Sequence, residues 1–181
     1  MATIISGVEV LNMLVMTVAV SFIFRAAFGL QKEYPFWKGM SYAAMVSAPA
    51  VILHEFGHKF VAMGFGLGAT FSIALFWLAL GVLLVLIKSP FIFFVPAFVS
   101  IVGQATPLQN ALISVAGPAV NLLLYLLAIV VQKYAKLSHK SFVFWTLTRK
   151  INGFLAIFNM IPFPPFDGYG FFSSILTVLL H

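Results

Sequence analysis

The chain has 181 residues, 62% of them apolar and only 8% charged, with a mean hydropathy of +1.11. A soluble domain carries roughly 25% charged residues, so the composition excludes an ordinary water-soluble globule and points to a polytopic membrane protein. The net charge of +6 comes from basic residues scattered between apolar runs; this suits anchoring to anionic headgroups and excludes the concentrated basic face of a nucleic-acid binder.

The first apolar run, 8–28, lacks a basic leader and a clear small-residue cleavage site. It reads as a retained first helix rather than a signal peptide. A polar stretch, Gln31 to Pro35, follows, with Trp37 as an interface anchor. The second run, 40–65, contains His54-Glu55-Phe56-Gly57-His58, and Pro49 should kink it or begin its last part. Gly64, Gly66 and Gly68 loosen the chain before a third run, 69–87. At about 1.5 Å per residue that run is long enough to cross a hydrocarbon core of about 30 Å.

Residues 89–103 are apolar, bounded by Pro90 and Gly103 and broken by Pro96. Their Phe, Ile and Val content favours extended backbone. Strand cannot face lipid, so a short re-entrant or interfacial β-like segment is expected near 91–102. A polar turn around Pro107 should occupy 104–110. The fourth helix is expected over 111–132, a basic loop over 133–141 and the fifth helix over 142–160. Pro162, Pro164 and Pro165 then break any helix. The last run, 169–180, is too short to span alone. The expected fold is an all-α, multi-pass integral protein of the cell membrane with about five to six transmembrane segments. It forms one membrane domain over 1–181, with a first helix at 8–28, further segments over 40–181 and no soluble domain.

Chemistry is concentrated in few residues. The four acids are Glu9, Glu33, Glu55 and Asp167. Glu55 and Asp167, with His54 and His58, lie inside apolar surroundings. An ionisable group at membrane depth costs roughly 2.5–3.5 kcal/mol or more, so such groups persist when paired, metal-bound or catalytic. His54 and His58 are four apart and project from one helix face. Two imidazoles suit zinc, and a catalytic zinc needs a third protein ligand. Cysteine is absent from the chain, and Asp167 is the best remaining donor. Glu55 points to a different side of the helix, where a carboxylate can take a proton from a water whose pKa zinc lowers to about 7. Asn159 can donate to a substrate carbonyl or oxyanion, or cap the broken helix end. Gly117 and Asn121 share a face and are assigned to close helix packing. Lys59 should snorkel to the interface.

Three motifs stand in order: His54-Glu55-Phe56-Gly57-His58, Ala116-Gly117-Pro118-Ala119-Val120-Asn121, and Asn159 to Asp167-Gly168 with its three prolines. Together they resemble the site-2 protease family of intramembrane zinc metalloproteases (peptidase family M50), over about residues 40–181. The resemblance implies one catalytic zinc on His54, His58 and Asp167, Glu55 as general base and Asn159 near the scissile carbonyl. It also implies a three-helix catalytic core and cleavage of a peptide bond within or near a transmembrane helix of a membrane-protein substrate, that is, regulated intramembrane proteolysis. No PDZ or CBS segment is recognisable, so regulation by such domains is not expected. A membrane-embedded zinc transporter would also need His and Asp in the bilayer, but it leaves Glu55 unexplained and the chain has no internal repeat. A non-catalytic helix-binding protein would not need the complete motif set.

Overall fold

The computed structural model describes residues 4–90 and 95–180. They are predominantly helical: α1 (Gly7–Ala27), α2 (Phe36–Gly64), α3 (Leu75–Leu86), α4 (Pro107–Tyr134), α5 (His139–Phe158) and α6 (Asp167–Leu180), with strands β1 (Gly68–Ile73) and β2 (Ala97–Val102). Two compact units divide the chain: 1–52 with 70–100, and 53–69 with 101–181.

In the first unit, α1 packs on α3 around Met16, Val20, Ile23, Phe71 and Leu78, all buried. A capping box starts α1: the Glu9 amide donates to Ser6 Oγ at 3.3 Å and the Ser6 amide to Glu9 Oε2 at 2.8 Å, which satisfies two otherwise orphaned helix N–H groups. Glu9 also accepts from the Phe71 amide through Oε1 at 2.7 Å, and Asn12 Nδ2 donates to the Phe71 carbonyl at 3.4 Å. The first turns of α1 therefore grip the backbone of β1.

β1 and β2 form a two-stranded sheet. Gly68 lies beside Val102 and the Ala74 amide donates to the Pro96 carbonyl at 3.3 Å. This register is antiparallel and sets Phe71 across from Val99. β2 agrees with the extended segment expected near 91–102, of which 91–94 lie outside the described residues. β1 corrects the expected third helix: residues 69–87 divide into a strand and the 12-residue α3.

In the second unit, α4 packs on α5 and α6. Pro107 does not sit in a turn. Thr106 and Gln109 make a second capping box, with Pro107 in the first helical turn, where its missing N–H costs nothing. The inner face of α4 is mostly small or polar: Ala111, Ala116, Gly117, Pro118, Asn121 and Ala128 are buried, with Ile113 as the one large apolar residue among them. Ser138 caps α5 by accepting from the Ser141 amide at 3.2 Å.

Among the described residues, two helices are long and apolar enough to cross a membrane, α1 and α4, against the five to six segments expected. α2 and α5 have the length, but Lys38, Glu55 and Lys59 on one, and Lys140, Arg149 and Lys150 on the other, lower their hydropathy. α3 and α6 have 12 and 14 residues, reaching about 18 and 21 Å at about 1.5 Å per residue.

Candidate metal centre

His54 and His58 stand one turn apart on α2, with ring centroids 4.8 Å apart and planes nearly perpendicular. Asp167 opens α6 and reaches the same point. Its Oδ2 lies 3.1 Å from His54 Nε2 and 3.3 Å from His58 Nε2, and the two Nε2 atoms are 3.1 Å apart. A tetrahedral zinc with bonds of roughly 2.0–2.1 Å sets its ligand atoms roughly 3.3 Å from one another, so the triangle has the size of one zinc face. Asp167 Oδ2 is shut off from solvent and has no hydrogen-bond partner, a costly state for a carboxylate oxygen unless a cation meets it.

The outer nitrogens of both rings are engaged. His58 Nδ1 lies 2.7 Å from the Ile113 carbonyl and His54 Nδ1 lies 2.6 Å from Asn121 Oδ1. A carbonyl oxygen only accepts, so Nδ1 of His58 carries a proton, and in the neutral ring Nε2 presents a lone pair to a cation. With both rings neutral, two lone pairs and a carboxylate facing one another at close range repel. A cation at their centre converts them into ligands, and the Nδ1 contacts are the outer supports that metal-binding histidines use. The three residues fit a zinc ion.

α4 lies close against this face because it carries no side chain where one would intrude. A Cβ on Gly117 would come within 2.7 Å of His54 Nε2, and one on Gly57 within 2.8 Å of the Ala116 carbonyl oxygen. Glu55 is buried but is not one of the three converging ligands. It sits one residue past His54 and three before His58, beside the cradle. Lys59 does not snorkel: its side chain is buried, 1% exposed. It follows Glu55 by four residues, so it faces inward with it.

Asn159 caps α5 through its backbone. Its carbonyl accepts from the Gly168 amide at 2.6 Å, closing the proline loop and setting Asp167 at the start of α6. The Phe158 and Phe166 rings, 4.7 Å apart, brace the loop edge to face, while residues 161–165 are exposed. Sequence reasoning placed His54, His58 and Asp167 together, and the structure does so. It missed Asn121 as a support of His54, and Asn152 behind it. A lone amide in the apolar stretch of each of two neighbouring helices was the available signal.

Two relatives are similar to this chain, and both carry the name "Putative zinc metalloprotease". One, from Methanocaldococcus jannaschii, is 31% identical over 165 residues, covering 88% of this chain and 81% of that protein. The other, from Synechocystis, is 30% identical over 134 residues, covering 74% of this chain but 31% of that longer protein. No protein-family model matches the chain. No solved structure matches it.

Proposed function

Because the chain belongs to a zinc metalloprotease family, we propose that it is an intramembrane endopeptidase of the site-2 protease type, hydrolysing a peptide bond within or near a transmembrane helix of a membrane-protein substrate. The observation that carries this reading is the meeting of His54, His58 and Asp167 at 3.1–3.3 Å with Glu55 buried alongside. Zinc in that cradle supplies a Lewis acid for the scissile carbonyl and acidifies the attacking water.

The chain's own groups do the rest. Glu55 takes the proton of the attacking water and returns it to the leaving amine. Asn159 donates its side-chain amide to the oxyanion that develops on the scissile carbonyl. Membrane embedding rests on α1 and α4, whose apolar windows are only 33% and 28% buried within the protein. A core helix of a soluble protein would hide most of that surface; lipid covers the remainder. Further spans contribute to a multi-pass domain whose catalytic core is α2, α4 and α6. A helical substrate hides its amides in its own hydrogen bonds, so it must unwind to be cut, and β2 offers a strand edge for the unwound stretch.

The test is cleavage of a panel of transmembrane segments by purified protein in liposomes, with cut sites mapped by mass spectrometry. Cleavage should vanish on chelation and return with zinc. Glu55→Gln should lower the rate by roughly 10²–10⁴-fold with zinc content unchanged. A Glu55→Gln protein that still carried zinc across the liposome membrane, with no cleavage by the wild type, would favour the transporter.

A further inference from the structure

We propose that the cleft between α4 and α5 holds one anionic phospholipid, with its phosphate on Arg149 and Lys150 and one acyl chain along the apolar remainder; this rests on the membrane embedding proposed above, not on the zinc chemistry. The cleft lies within the second unit and has a volume of about 330 Å³, inside the range of about 300–1,000 Å³ that small-molecule sites occupy. Tyr125 of α4 and Gly153 of α5 meet in it. A Cβ on Gly153 would come within 2.9 Å of the Tyr125 ring, so the missing side chain lets that ring lie against the α5 backbone. Leu122, Phe154 and Ile157 line the cleft and are 48%, 53% and 78% exposed. Phe154 is held by stacking on Phe158, with ring centroids 4.8 Å apart.

Charge identifies the occupant. Arg149 and Lys150 precede the apolar lining residues along α5, and residues 151–166 carry no charge. From Arg149 to Ile157 the helix rises about 12 Å at about 1.5 Å per residue. The cleft therefore has a cationic end and an apolar body, the polarity of a lipid with an anionic headgroup. The protein supplies no counter-charge of its own there. Among the described residues neither Arg149 nor Lys150 is in an ion pair, and the acids of this unit, Glu55 and Asp167, belong to the metal centre. Unpaired charge at membrane depth is costly, and basic pockets between helices take phosphate-bearing headgroups. A substrate helix fits less well, because a membrane-spanning segment is apolar along its length and brings no anion to the basic end.

Native mass spectrometry of the purified full chain in detergent reads the bound lipid directly. Phosphatidylglycerol and phosphatidylcholine of the same chain length compete, and inorganic phosphate is added in a separate arm. Wild type should retain one phosphatidylglycerol in preference to phosphatidylcholine by roughly 30-fold, the attraction expected of two basic side chains for an anionic lipid. Phosphate should not displace it. Arg149→Gln with Lys150→Gln should abolish the preference, whereas Arg149→Lys with Lys150→Arg should keep it, which separates lost charge from misfolding. Lys133→Gln with Lys136→Gln removes as much charge from exposed positions at the end of α4 and just beyond it, and should leave the preference intact. Ala156→Phe, which fills the lining, should lose both lipids.

Equal retention of the two lipids by wild type would overturn the proposal. So would loss of preference in Lys133→Gln with Lys136→Gln, which means diffuse attraction by the basic residues at large. Displacement by inorganic phosphate, which means an anion site without a chain, or undiminished retention in Ala156→Phe would overturn it too. The readout is mass and not cleavage. An inactive protein that keeps phosphatidylglycerol upholds this site and counts against the protease; a cleaving, membrane-retained protein without lipid preference does the reverse.

Discussion

At the scale of single residues, the cradle depends on one charge and one missing methyl group. Asp167→Asn keeps the shape but replaces the anionic oxygen shared by both imidazoles at 3.1 and 3.3 Å. Zinc affinity should fall further than the roughly 10–100-fold typical of an outer support, as titrated against a chelator. Gly117→Ala should also weaken zinc binding, since its Cβ would press on the His54 ring; Gly117→Ala protein with wild-type affinity would show that α4 has room to move. The ligands were legible because charge in an apolar sequence is rare and a spacing of four marks one helix face. Asn121 and Asn152 were not. Spacing along a helix says which residues share a face, but not which helix stands opposite, and their meaning lies in a contact 31 residues apart. Lys59 was misread for the same reason, because nothing local distinguishes a lysine that points inward from one that reaches for headgroups.

At the scale of elements, β1 was hidden in an unbroken apolar run. Length favoured one helix over 69–87, although Thr70, Phe71 and Ile73 are strand formers. The polar residues around Pro107 read as a turn, yet Thr106-Pro107-Leu108-Gln109 has the order of a capping box. The strand pair yields a prediction about substrate handling. Successive N–H groups of a strand point to opposite edges, so Phe98→Pro and Val99→Pro each remove a donor from a different edge of β2. One should weaken pairing with β1 and lower thermal stability. The other should spare the fold and zinc content and reduce cleavage of transmembrane segments; unimpaired cleavage in both would remove strand addition from the mechanism.

At the scale of the whole molecule, composition pointed to lipid but not to the number of crossings. Hydropathy averaged over 181 residues favours lipid, whereas each crossing depends on where the few charges fall, and α2 and α5 hold most of those in helices. The protein should remain in the membrane pellet through an alkaline carbonate wash; release into the supernatant would contradict embedding. Bound zinc should stabilise it by about 4 kcal/mol at a free concentration 1,000 times Kd, read as a rise in melting temperature that chelator abolishes.

The grip of Glu9 on the Phe71 amide bears on how an N-terminal hydrophobic stretch is treated. A leader sequence is discarded after targeting, and nothing in the mature fold leans on it. Here, trimming the opening helix would leave an interior amide of the strand without its acceptor, at a cost of about 1–3 kcal/mol. Expression strategies that swap this stretch for a generic export signal would therefore yield a protein whose sheet is loosened from the outset.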